Sequence, residues 1–383
     1  MRVIVVGAGV LGASVARHLA VGGAEVHLVD RWSPGGGTSA TTFSWTNANR
    51  KPDPDHFRLN TAGMAEHVAL ARQLPGPPAY VGSGSLFLAD AASEPWLAEN
   101  VERLRGSGYE ARFVDAEEAV RTAGDLRVPS SVTSIAAFPG EGYVLPHRLV
   151  DNLVADATRR GATVSTGEVE RIEEADGVTV SLRDGAVLRG DRLVLAAGRW
   201  SEDLAATAGL SLPVVTDTGR GSPIIGLLGY VRSPQLDLRC VVHSPRLNLR
   251  PDTGGQAVVQ ALDLNPTVDP AAPVPPDDVE VVAQRFAELT ASQPDVDISF
   301  RVGYRSLPAD GLPVAGFASP LARVYALVAH SGITLAPLLG RSAAEELLAD
   351  REEPMLRSFR PGRFAGTTKS EIAMERPTRL GEQ

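Results

Sequence analysis

Residues 2–30 read RVIVVGAGVLGASVARHLAVGGAEVHLVD. Arg2 to Val6 is a short, almost wholly apolar run closed by Gly7, the pattern of a strand buried on both faces of a parallel sheet. Helical spacing runs from Ala13 to Ala20, and Glu25 to Val29 is a second strand ending at Asp30. Gly7-x-Gly9-x-x-Gly12 joins the first strand to the helix of this βαβ start. Gly7 permits the tight turn, Gly9 lets backbone approach a pyrophosphate, and Gly12 lets helix and strand pack closely. Phosphates would lie at the helix N-terminus, beside Val10 and Leu11. Asp30, 18 residues beyond Gly12, stands where a carboxylate accepts hydrogen bonds from a ribose hydroxyl. A glycine motif alone is weak, but in this setting it predicts a dinucleotide site.

The 383 residues are 43% hydrophobic and 22% charged, ordinary for a globular protein of two or three domains. With 46 acidic against 37 basic residues the formal charge is −9, so neither nucleic acid nor an anionic membrane is expected as a partner. The single cysteine, Cys240, excludes a disulfide framework and any multi-cysteine metal or iron–sulfur site. Seven histidines are scattered without ligand spacing such as HExxH, and no metal is expected. The only lysines are Lys51 and Lys369, and neither sits in a context that suits a pyridoxal-phosphate Schiff base. No apolar run reaches the ~18 residues that span a bilayer. The glycine-broken N-terminus does not read as a signal peptide, and a soluble, cytoplasmic protein is expected.

Ser33 to Thr42 is rich in Gly, Ser and Thr, too long and polar for a simple turn, and is expected to dock a ligand. Helices are expected over 60–73, 95–106, 147–160 and 277–289, with Asp115 and Glu118 capping another. Residues 169–174, 178–182 and 186–188 read as antiparallel strands joined at Asp-Gly turns, and most of 223–262 is strand. Leu193 to Ala197 is again fully apolar and closes on Gly198; Arg323 to Ala329 is a third buried strand, followed by a helix over 336–349. There is no second GxGxxG, so one nucleotide site is expected and a reductase fed by NAD(P)H is disfavoured.

Further segments, in this order and spacing, lead to a family. Gly36-Gly37-Thr38-Ser39-Ala40 follows the second strand, Ala196-Ala197-Gly198-Arg199-Trp200 closes a later one, and Arg220-Gly221 lies in the middle region. Gly303-Tyr304-Arg305, Asp310-Gly311-Leu312-Pro313 and His330-Ser331-Gly332-Ile333-Thr334-Leu335-Ala336-Pro337 come later, and Phe359-Arg360-Pro361 with Arg363-Phe364 makes the ending. Almost end to end, the chain resembles the FAD-dependent oxidoreductases of the D-amino-acid oxidase, glycine oxidase and sarcosine oxidase superfamily.

That resemblance implies an FAD site and roles for its residues. Gly37, Thr38 and Ser39 would meet the pyrophosphate with hydroxyl and N–H groups, Arg31 would flank the adenine, and Val169 would touch adenine through its backbone. Ala197, Gly198 and Trp200 join the cofactor set. Gly332, Ile333, Thr334 and Leu335, just before a helix, would stabilise charge on the reduced flavin's N1 and C2 oxygen. Arg305 would clamp a substrate carboxylate, which a guanidinium suits bidentately. Trp45, Asn47, Asn49 and Lys51 would pass near the flavin and line the substrate pocket or assist oxygen activation, His243 and Arg250 would line the pocket from predicted strands, and His330 would support the flavin loop. Some relatives attach flavin through a Cys where this chain has Gly303, so the FAD is expected to be bound non-covalently.

The expected architecture is α/β, a Rossmann-like FAD-binding domain interleaved with a smaller α+β substrate domain on a mainly antiparallel sheet. The FAD domain would take residues 1–84, 143–214 and 300–365, the substrate domain 85–142 and 215–299, and 366–383 would be a solvated tail. The implied reaction is oxidation of the α-carbon–nitrogen bond of an amino acid or related secondary amine, with reoxidation by oxygen or another acceptor. An FAD-dependent aromatic monooxygenase and a non-catalytic flavin-binding protein are the alternatives.

Overall fold

The computed structural model describes residues 1–233, 235–290, 296–349, 351–367 and 369–372. The strand Arg2–Val6 pairs in parallel with Glu25–Asp30 on one side, Val5 opposite Leu28, and with Arg192–Leu195 on the other, Val5 opposite Val194. Its side chains alternate as a two-sided strand requires: Val3 and Val5 enter one core, Ile4 and Val6 another. The complete six-stranded order is Val314–Phe317, Val324–Val328, Arg192–Leu195, Arg2–Val6, Glu25–Asp30, Thr163–Thr166. Only the first of these runs antiparallel to its neighbour.

One face is covered by the helices Val10–Val21, Pro146–Arg159 and Gly332–Ala349, which share a core with Val3 and Val5. Two of them are joined by a buried ion pair, Arg17 Nε to Asp156 Oδ2 at 2.9 Å. Asp156 also meets Arg159 at 2.9 Å and Arg160 at 3.3 Å, so it is removal of Asp156, which leaves Arg17 charged and buried, that should cost about 3–5 kcal/mol. The opposite face carries the three-stranded sheet Val169–Glu174, Val178–Leu182, Val187–Gly190 and the helix Ser201–Thr207.

An eight-stranded sheet follows the order Asp297–Tyr304, Ile225–Arg232, Gln256–Gln260, Asn248–Pro251, Val241–His243, Ser85–Asp90, Val132–Phe138, Arg112–Phe113. It is antiparallel except where Val241–His243 meets Ser85–Asp90. Leu86 and Leu88 pack with Phe286 of the helix Pro276–Thr290, whereas Phe87 packs with Leu97 and Val101 of Glu94–Gly106, so helices cover both faces. A third small sheet joins Trp45–Thr46, Gly142–Val144 and Tyr80–Val81. The chain passes from one large sheet to the other and back, and the fold is the expected α/β architecture with interleaved parts.

Three expectations shift. The strand Asp297–Tyr304 pairs along its whole length with Ile225–Arg232, so a boundary at residue 300 cuts a strand of the second sheet. The helix expected from residue 60 begins at Pro54, where Asp53 accepts from the His56 N–H and a proline occupies the first turn. The helix expected from 336 begins at Gly332 and runs through Pro337. Of the expected tail, 368 and 373–383 lie outside the described residues; Lys369, at its start, pairs with Glu202. Among the described residues no helix is long and apolar enough to cross a membrane.

Candidate active site

A cleft of about 1010 Å³ opens at the C-terminal ends of the parallel strands. The glycine turn forms its floor. Gly7 has φ +101°, and a Cβ on Gly12 would lie 1.8 Å from the Gly7 carbonyl oxygen, so helix and turn touch backbone to backbone. The Ala13 N–H bonds the Gly9 carbonyl, and the Val10 N–H donates to Ser39 Oγ at 3.0 Å. Leu11 and Gly12 therefore bring the N–H groups for which the helix has no internal acceptor. Asp30 is held at the rim: its Oδ2 accepts from the Ala8 N–H at 2.6 Å and its Oδ1 from the Trp32 N–H at 2.9 Å.

Gly9, Val10, Leu11, Gly37, Thr38, Ser39, Val169, Ala197, Gly198 and Trp200 line the same cleft. Arg31 lies 4.6 Å above the Trp200 ring and pairs with Glu168 at 3.4 Å, with Trp32 edge-on to Trp200. Trp32 lines the cleft and was missed in sequence. Thr38 Oγ1 donates to the Tyr304 carbonyl at 2.6 Å and Ser39 Oγ is taken by Val10, so both hydroxyls pin the polar loop in place.

At the far end stands the helix Gly332–Ala349. Its Leu335 N–H already bonds the Ser331 carbonyl, and the Leu335 side chain is buried. Gly332, Ile333 and Thr334 thus supply the free first-turn donors, and Leu335 does not. Pro337 has no N–H to give the Ile333 carbonyl. His67 Nε2 meets that oxygen at 2.8 Å instead, which is how the helix continues through the proline. Burial brings His67 down to about 4, so the ring is neutral and Nε2 carries the donated proton.

A second cavity of about 690 Å³ meets the cleft at Thr38, Thr42, His330 and Ile333. Trp45, Asn47, Lys51, Thr334 and Arg305 line it. Arg305 donates through Nη1 to the carbonyls of Pro223 at 3.1 Å and Ile225 at 2.5 Å, and burial lowers it to about 10. It has no carboxylate partner among the described residues. Lys51 is brought down to about 8 by burial and then by Arg50, and His330 well below its ordinary value by burial and then by Arg305 and Lys51. Trp45 is fixed from behind: its indole N–H donates to Glu141 Oε2 at 2.8 Å. Glu141, fully buried, also accepts from Ser85, Tyr109 and Asn49. Burial pushes its carboxyl up to about 7 against the pull of those donors.

The pattern of the DAO family, described as FAD dependent oxidoreductase, matches residues 2–346. The chain belongs to this family. It is 27% identical to the uncharacterized oxidoreductase YurR of Bacillus subtilis, over 94% of this chain and 98% of that protein. It is 26% identical to a D-amino acid dehydrogenase of Cereibacter sphaeroides, over 94% of each. The crystal structure of glycine oxidase from Geobacillus kaustophilus superposes with a TM-score of 0.82 at 25% identity, covering 94% of this chain and 99% of that one. The protein is an FAD-dependent oxidoreductase, and a glycine turn, the Asp30 carboxylate at the rim and two helix N-termini in one cleft fit a long dinucleotide.

Three expected pocket residues of this flavoprotein lie elsewhere. Asn49 is fully buried, tied to Glu141, Asn100 and Arg103, because it leaves the strand Trp45–Thr46 pointing into the helix Glu94–Gly106. His243 is packed against Trp45 at 4.1 Å and Phe87 at 4.3 Å, and burial takes it to about 3. Arg250 points to the opposite side of the loop, where it donates to the carbonyls of Phe43 and Pro251 and lines a separate, arginine-rich groove.

Proposed function

We propose that the protein oxidises the α-carbon–nitrogen bond of an amino acid or related secondary amine. The carrying observation is Arg305, a guanidinium without a counter-ion among the described residues that lines a cavity open to the cofactor cleft. Arg305 is half-buried in the cavity wall with no carboxylate facing it, and its planar fork of donors suits a carboxylate. The glycine turn, Asp30 and the polar loop would hold the adenosine diphosphate half, and the amides of Gly332, Ile333 and Thr334 would face the flavin end.

Bound FAD would supply a two-electron acceptor for the hydride of the α C–H, with oxygen or another acceptor to reoxidise it. The chain's own share is placement. Arg305 would anchor the carboxylate and so fix which C–H faces the cleft, while Trp45 walls the cavity, held by Glu141. The amine nitrogen contributes its lone pair to the new C=N bond and releases its proton; water then adds to the imine, giving a carbonyl compound and an amine or ammonia. His330, held well below its ordinary value, is too weak a base to take the proton from an ammonium, so the substrate nitrogen must already be deprotonated. An anaerobic screen of D-, L- and N-methyl amino acids should bleach the flavin absorbance, with colour returning in air or with an added acceptor. Failure of every amine to bleach it would reject this function.

A further inference from the structure

The cavity beside the cofactor cleft carries more positive charge than one carboxylate can neutralise. Both Arg305 and Lys51 line it, and its other walls include Ser44, Asn47, Gln260, Thr334 and neutral His330, with no Asp or Glu. Four other sheltered cations are paired with carboxylates: Arg17 with Asp156, Arg285 with Asp263, Arg360 with Glu346, Arg363 with Asp310. Neither Arg305 nor Lys51 has a carboxylate within ion-pair distance among the described residues. Both act on His330, which lies where the cavity meets the cleft. Lys51 is also one of only two lysines in a chain with 37 basic residues. It presents a compact charge with rotatable donors, where an arginine would bring a rigid fork.

We propose that the amine oxidised here carries two anionic groups, one held by Arg305 and the second by Lys51: a dicarboxylic amino acid, or an amino acid whose nitrogen bears a carboxyalkyl group. This rests on the amine-oxidation reading above and names its substrate class.

The test uses the FAD-loaded protein. Unreactive succinate and malonate, against acetate and propionate, are titrated by the change in flavin absorbance, and by calorimetry where the spectrum does not move. Aspartate, glutamate and iminodiacetate are compared with glycine, alanine and N-methylglycine for anaerobic flavin bleaching, the first two placing the second carboxylate on the side chain and the third on nitrogen. The dicarboxylates should bind at least tenfold more tightly and the dicarboxylic amines react with at least tenfold higher kcat/KM. Lys51→Met should shrink the affinity ratio to threefold or less, whereas Lys51→Arg should keep most of it. Equal affinities in the unaltered protein, or an undiminished ratio in Lys51→Met, overturn the proposal. If Lys51→Met does not fold, Lys51→Gln and the ratio in the unaltered protein decide it. Tight succinate binding with no amine bleaching the flavin would sink amine oxidation and leave the dianion site standing. Monocarboxylic amines reacting as well as dicarboxylic ones would do the reverse.

Discussion

Arg305 and Gly303 sit two residues apart and ask different things of the same cavity. If Arg305 holds the substrate carboxylate, Arg305→Ala should weaken binding of a carboxylate-bearing ligand ten- to a hundredfold, from ~1.5–3 kcal/mol of charge-assisted bonding; unchanged affinity on titration would remove Arg305 from the site. At Gly303, a Cβ would fall 2.6 Å from the Thr41 carbonyl oxygen, so the ligand-docking loop leaves no room for a side chain there. Acid precipitation should accordingly leave the yellow colour in the supernatant, and colour in the pellet would show a covalent link. The two residues also mark what was legible locally. Arg305 was readable because it follows a strand in a recognisable Gly-x-Arg segment. Glu141 was not, because Pro139-Gly140-Glu141-Gly142 reads as a solvent-facing turn. Only the return of the chain against Trp45, Ser85 and Tyr109 buries that carboxylate.

Among the elements, the helix Gly332–Ala349 shows best how distant parts complete one another. Pro337 would ordinarily weaken a helix at this depth by removing a hydrogen bond, yet His67 restores the partner of the Ile333 carbonyl and stacks on Tyr80 at 5.2 Å. His67→Phe should leave that buried carbonyl unpaired and lower stability by about 1–3 kcal/mol. Because Ile333 lines the cofactor cleft, FAD should also bind more weakly; calorimetric melting and fluorescence titration of FAD would check both. An unchanged melting temperature would mean that water or a shift of the helix replaces the histidine. The start expected for this helix falls four residues late because proline is favoured at a first helical turn, and nothing near Pro337 in the chain announces His67.

For the molecule as a whole, burial of histidines sets the acid limit. His18 and His67 are brought to about 4, and His56 and His243 to about 3, in each case chiefly by burial. An unfolded chain takes up these protons near pH 6.5 and the folded one does not, so the unfolded state binds more protons below that pH. These four rings should therefore contribute stability above about pH 6.5 that is lost as the pH drops toward about 4. The single Glu141 carboxyl opposes them, since it is raised to about 7 and keeps its proton longer in the folded chain. The net result should be a declining melting temperature, and a flat profile over that range would show that these rings are solvated. By itself the sequence determined the βαβ start, the glycine cradle, the carboxylate at Asp30 and the polar loop after it, because each depends on the spacing of neighbouring residues and on backbone that only glycine permits. Most helices and strands were legible there too, through their ~3.6- and two-residue periods. Tertiary structure alone decided which polar side chains face the cavity: Lys51 and Arg305 do, while Asn49, His243 and Arg250 do not. The cavity's walls come from segments near residues 38–51, 226–228, 260, 303–305 and 330–334, and whether a charge is buried without a partner is a property of neighbours brought together from far along the chain.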